Sequence, residues 1–140
     1  MDSISTQLPK ESTSVVPQEL EKEVELLHLL GYEVELTQEG QRVYVLFKNF
    51  ELGPKFVPSR SDLLVYTSIE YPNAGFDMFW VDPVVKLANG GVPQGGDQIE
   101  SYLGRQWRRF SWHLNRSWNP SKDSLRTWIS HVEARLSRGV

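Results

Sequence analysis

Helical spacing marks both ends of this chain and strand-like spacing fills the middle, an order that restricts the fold more than any single motif. In "PQELEKEVELLHLLGY", residues 17–32, Leu20, Val24 and Leu27 recur at helical intervals, Leu30 continues the face, and the glutamates lie mostly opposite. This spacing gathers apolar side chains on one side of an α-helix. Pro17 suits a first helical position and Gly31 suits the stop. Next, "YEVEL" alternates polar and apolar residues, and "RVYVLFKNF" is rich in β-branched and aromatic ones. With the glycine of "TQEGQ" between them, the two runs predict a hairpin. "DLLVYTSIEYP" predicts a third strand ended by Pro72, and "FDMFWVDP" a short fourth ended by Pro83. An N-terminal helix followed by a four-strand antiparallel meander is an α+β plan.

Helical periodicity then returns. Ile99, Leu103, Trp107, Phe110 and Leu114 recur at intervals that predict a short helix, with no clear signal for its end. Asn119 suits an N-cap and Pro120 a first helical position, so a last helix is expected over about 120–138. Leu125, Trp128, Val132 and Leu136 form its apolar stripe, and Gly139 ends it. "KLANGGVPQGGDQ", residues 86–98, has glycines without a phosphate-binding arrangement around them, and is expected to be a flexible flap. Residues 1–16 offer little to bury and read as a mobile tail. That leaves 17–140 as one domain.

Composition excludes several chemistries. The chain has 140 residues, no cysteine and three histidines. Disulfides, zinc–thiolate sites and cysteine nucleophiles are therefore ruled out. His28, His113 and His131 are too scattered for a metal motif, so no metal is expected. No apolar run is long enough to predict a membrane span. The first residues lack the apolar stretch of a secretory signal, which makes the cytoplasm the expected compartment. The formal net charge of −3 conceals a polarity. Residues 1–40 hold nine acids and two lysines (−7), whereas residues 104–140 hold eight bases and two acids (+6). Such asymmetry favours charged partners, although solvated helix faces account for much of it.

The densest chemistry lies in "RRFSWHLNRSWNP", residues 108–120. Ser111 and His113 are two apart. On an extended segment they share a face and can cooperate as nucleophile and base. On a continuous helix from Ile99 they diverge by about 200° and cannot. A serine and a histidine alone, with no identifiable third member, are weak evidence of catalysis. Trp107, Trp112 and Trp118 are read first as packing residues. Arg105, Arg108, Arg109 and Arg116 are read as a solvated basic rim able to meet an acidic partner.

Taken together, these features resemble the ubiquitin-conjugating enzyme superfamily, and especially its prokaryotic branch known as family E. The order of elements carries the resemblance, with "LLVYTSIEYP" similar to that fold's third strand, "DMFWVDP" to its fourth, and "SWHLNRSWNPSKDSL" to the catalytic segment before a Trp-x-Pro and a helix. It covers about residues 17–140. It implies an acyl-transfer enzyme that receives a ubiquitin-like protein from an adenylating activating enzyme and passes it to a protein target. Two departures stand out. The usual His-Pro-Asn is absent, with Asp82-Pro83 roughly in its place, and the catalytic cysteine is absent. In the family pattern the nucleophile lies about eight residues before the Trp, here Trp118, which points to Phe110 and, with one residue of slack, to Ser111. The resemblance thus implies Ser111 as an oxyester-forming nucleophile with His113 beside it. Asn115 or Asn119 would donate to the oxyanion, Asn119 being more readily engaged as a cap. Ser111 and His113 are expected to face a cleft beside the loop at 84–97, with Trp118 and Pro120 as its far wall.

Two other functions compete. Without the cysteine, the same fold can serve as a non-catalytic module that docks ubiquitin-like proteins. Alternatively, "GRQWRRFSWHLNR", residues 104–116, offers arginines for phosphates and tryptophans for bases. Overall acidity and the absence of a nucleic-acid-binding signature count against that third function.

Overall fold

In a computed structural model, which describes residues 16–140, helix α1 (Gln18–Leu29) precedes a run of strands and helix α2 (Leu125–Ser137) ends the chain. Nearly all of the expected tail, residues 1–15, lies outside the described residues; Val16 packs against the core. α1 begins after Pro17, buries Leu20, Val24 and Leu27, and is stopped by Gly31 at φ +98. Leu30 does not continue the buried face and is 54% exposed.

The strands are β1 (Glu33–Glu39), β2 (Arg42–Glu51), β3 (Phe56–Val57), β4 (Arg60–Ser68), β5 (Phe79–Val81), β6 (Lys86–Leu87), β7 (Gln98–Tyr102) and β8 (Arg105–Phe110). The main sheet runs β1-β2-β4-β5-β8-β7, antiparallel at every pairing, and β3 and β6 form a small separate pair. β1, β2, β4 and β5 are the expected meander. Two corrections follow. Among the described residues the main sheet has six strands rather than four, and the helix expected from Ile99 is instead the β7–β8 hairpin. Its turn is Leu103–Gly104, both at positive φ (55 and 75), the conformation that reverses a two-residue hairpin. Trp107 and Phe110 are three apart, so on a strand they point to opposite faces, and each finds its own core.

On one face, Val43, Val45, Phe47, Leu63, Val65, Phe79, Val81 and Phe110 meet Leu20 and Leu27 of α1 and Trp128 of α2. On the other face no helix among the described residues covers the sheet; Tyr44, Leu64, Trp80 and Trp107 bury one another. Tyr66 stacks on Trp80 at 4.9 Å, and the guanidinium groups of Arg42 and Arg105 each lie 4.1 Å from the ring centres of Tyr66 and Trp107. Long cationic stems shield aromatic surface while their charge stays hydrated. Among the described residues, no helix is long and apolar enough to cross a membrane.

The last helix also starts later than expected. Ser124, not Asn119, is the N-cap, exchanging hydrogen bonds with Thr127 in a capping box. Asn119 instead accepts from Ser121 through its side chain and from Lys122 and Asp123 through its carbonyl, a tight turn that includes Pro120. The stripe of Leu125, Trp128, Val132 and Leu136 is fully inside, joined by Ile129. Tyr71 ties the two helices together: its hydroxyl donates to Glu23 of α1 (2.6 Å) and accepts from the Leu125 amide of α2 (2.8 Å). Burial, reinforced by the Glu23 carboxylate, pushes the Tyr71 phenol well up, so it remains a donor at all ordinary pH.

Candidate active site

At Phe110, β8 leaves the sheet, and residues 111–114 continue without helical structure. Two backbone bonds hold this segment straight. The Ser111 amide donates to the Gly95 carbonyl (3.0 Å), and the Met78 amide donates to the Trp112 carbonyl (2.9 Å). Trp112 and Leu114 turn inward against the core, while Ser111 and His113 are exposed. The alternation therefore places Ser111 and His113 on the same side, as the extended alternative requires.

Each of the two has a partner. The Ser111 hydroxyl oxygen accepts from Nε of Arg109 (3.2 Å), and Arg109 is held through its other end by Glu100 (2.8 Å). Glu100 also accepts from the Trp80 indole and the Tyr102 hydroxyl. Burial opposes its ionisation, but these donors and the guanidinium outweigh that and hold its carboxyl below the ordinary range. His113 Nδ1 lies 2.6 Å from Asp77 Oδ1, on the segment just before β5. Asp77 is 36 positions away, and no local pattern in the sequence marks it. Asn115 is exposed at the bend that follows His113.

The four arginines do not form a free basic rim. Arg108 is buried, donating to the carbonyls of Gly96 (2.6 Å) and Pro83 (2.7 Å). Arg105 pairs with Asp62 and Asp82, Arg109 with Glu100, and Arg116 bidentately with Asp123. The flap is likewise more anchored than its glycines suggest. Arg108 holds Gly96, Arg135 donates to the Gln94 carbonyl (2.8 Å), and Ser111 holds Gly95.

The surroundings differ from the expected cleft too. Gly95 lies against Ser111, so closely that a Cβ there would touch the serine's backbone and Cβ. A groove of about 600 Å³ adjoins Asp77, lined by Arg42, Tyr66, Thr67, Gly75 and Met78 among others. Trp118 and Pro120 are not among its lining residues. Trp118 packs against Tyr71 and Phe76, donates to the Pro72 carbonyl (2.8 Å), and lies flat over Gly75. Pro120 is exposed in the turn before α2.

Gly75 is therefore fixed by its neighbour. A Cβ built there would overlap ring atoms of Trp118, which packs against Tyr71 and Phe76. Gly75→Ala is expected to cost about 1–3 kcal/mol as overpacking, measured by chemical denaturation. A Gly75→Ala protein as stable as the wild type would show that the ring is free to move.

Asp123 organises the stretch between the site and α2. Its side chain is 2% exposed, and its oxygens accept from both guanidinium nitrogens of Arg116 (2.8 Å each) and from the Asn119 amide (2.8 Å). Arg116 foremost lowers the Asp123 carboxyl, against the opposing effect of burial, to about 2. A depressed carboxylate stabilises the fold above its unfolded value and loses that effect as pH falls through the folded one. Asp123→Asn should thus lower Tm at pH 7 by roughly 5 °C. The gap should narrow below about pH 4 and close near pH 2. A gap that stayed constant from pH 7 to 2 would contradict the pairing.

With helix, antiparallel sheet, irregular exposed segment and C-terminal helix in place, comparison with known families becomes decisive: residues 20–139 match prokaryotic E2 family E. The chain belongs to that family. Comparison with curated proteins and with solved structures gives no match. As a family E protein it is an E2-like conjugating module, and the match runs from the first buried leucine of α1 to the glycine that follows α2. In this family E chain the position that the resemblance gave to the nucleophile is an exposed serine on an extended segment.

Proposed function

We propose that this family E protein carries the C-terminal acyl group of a ubiquitin-like protein as an oxyester on Ser111. It receives the acyl group from an adenylating activating enzyme and passes it to a protein target. One observation carries this reading: Ser111 and His113 lie exposed on the same side of an extended segment, where an extended acyl tail can approach. Ser111 Oγ attacks the activated carbonyl, its proton passes to His113, and the leaving group of the activated acyl departs. In this reading the Arg109 guanidinium, which donates to Ser111, stabilises the developing negative charge, and Asn115 serves as a second donor. No diffusible cofactor enters, because adenylation belongs to the partner.

The reaction is tested by incubating the chain with the ubiquitin-like protein, the activating enzyme and ATP. An adduct that survives denaturation but is cleaved by alkali, and is absent from Ser111→Ala, is expected. If the adduct also forms on Ser111→Ala, the nucleophile is another residue.

A second reading is a docking module that binds ubiquitin-like proteins without transfer, favoured by the missing cysteine. It predicts measurable binding with no adduct. A nucleic-acid role is supported less, because Arg105, Arg109 and Arg116 are ion-paired and Arg108 is buried.

A further inference from the structure

We infer that Asp77 is a positioning residue for His113, fixing the imidazole tautomer that leaves Nε2 as the free ring nitrogen. The inference deepens the proposed function and rests on it for the role of Ser111, but its core claim concerns Asp77 and His113 alone. A carboxylate only accepts, so the 2.6 Å contact is a hydrogen bond from Nδ1–H of His113 to Asp77 Oδ1. Nδ1 then carries the proton of the neutral ring, and Nε2 is left as the acceptor.

The backbone makes the contact durable. Met78, at φ 63, donates its amide to the Trp112 carbonyl, which pins the residue after Asp77 to the residue before His113. A non-glycine residue rarely adopts this left-handed conformation unless the surroundings impose it. The two side chains are 58% and 59% exposed, so neither is needed to fill the core. On the other side, the Ser111 oxygen already accepts from Arg109, which leaves its O–H free to donate elsewhere. A free hydroxyl proton and a free imidazole nitrogen thus lie two residues apart on one face.

The acyl-transfer step this permits balances simply. Ser111 Oγ bonds to the carbonyl carbon of an ester, its proton moves to Nε2, the bond to the leaving oxygen breaks, and the proton is released to that oxygen or to water. Asp77 gains no proton; it holds the ring and stabilises the imidazolium that forms.

The purified full chain and p-nitrophenyl acetate are sufficient for the test, because no partner protein is needed. Nitrogen-15 NMR of His113 should show protonated Nδ1 and unprotonated Nε2 at neutral pH in the wild type, and loss of this preference in Asp77→Asn. Acetylation of Ser111, mapped by mass spectrometry, should fall roughly 10- to 1,000-fold in Asp77→Asn and recover substantially in Asp77→Glu, with melting temperature unchanged in both. A wild-type His113 protonated on Nε2, or an Asp77→Asn protein that acetylates Ser111 at the wild-type rate, overturns the inference. If the tautomer is as stated but Ser111 is never acetylated in any variant, the positioning of His113 stands. The failure then falls on Ser111 as nucleophile.

Discussion

Trp128→Ala is expected to destabilise the fold by about 3–5 kcal/mol, the range for truncating a buried aromatic residue. Trp128 is fully buried at the centre of the α2 stripe and belongs to the cluster that joins both helices to the inner face of the sheet. Collapse around the vacated space is resisted from three sides, because α1, the sheet and the Tyr71–Glu23 link all hold α2 in place. The indole N–H has no hydrogen-bond partner. Trp128→Phe should therefore cost much less, about 1–2 kcal/mol, because removing an unpaired buried donor offsets part of the lost contact. Denaturant titration separates the two variants. A loss below about 1 kcal/mol for Trp128→Ala would mean that α2 does not pack through this face.

His113→Ala is expected to slow formation or discharge of the Ser111 ester by roughly 100- to 10,000-fold, the usual contribution of a positioned general base. The fold should be indifferent, since His113 is exposed and its only hydrogen-bonded partner among the described residues is the equally exposed Asp77. Rates of adduct appearance from activated modifier, with melting temperature as control, give the comparison. Equal rates in wild type and His113→Ala would remove His113 from the chemistry and leave Arg109 and Asn115 as the residues proposed to assist Ser111.

Much of the fold follows from local pattern, and the exceptions have specific causes. The α1 stripe, the β1–β2 hairpin, β4, β5 and the α2 stripe are each legible because burial on one or both sides imposes a period on neighbouring residues. The β7–β8 hairpin imitates a helix in the sequence because Leu103, Trp107 and Phe110 sit at helical intervals. In fact Leu103 is in the turn, and Trp107 and Phe110 serve opposite faces of the sheet. Gly104 was the available signal, since a glycine between two polar-flanked aromatic runs suits a tight reversal. The start of α2 was misplaced because Asn119-Pro120 imitates a cap, whereas the real one is the Ser124–Thr127 pair.

The site was partly legible in the same sense. Ser111 and His113 were readable as a pair because an i, i+2 relation becomes shared orientation on extended backbone. Asp77 was not, because its approach depends on how β5 pairs with β8. Of the four arginines, Arg108 departs from the solvated expectation for a related reason. A basic residue counts as solvated unless acceptors are known, and those of Arg108 are carbonyls on two separate loops, at Pro83 and Gly96.

The central claim is that Ser111 occupies the acyl-carrying position of an E2-like module, and Ser111→Cys tests it most directly. A hydroxyl replaced by a thiol at the same place should convert the alkali-labile, thiol-resistant adduct into one released by dithiothreitol, because a thioester exchanges with thiols far more readily than an oxyester does. The account predicts that switch in sensitivity, with the adduct mapped to residue 111 in both proteins. An adduct on Ser111→Cys that remains resistant to dithiothreitol, or no adduct on either protein despite a charged activating enzyme, would contradict it.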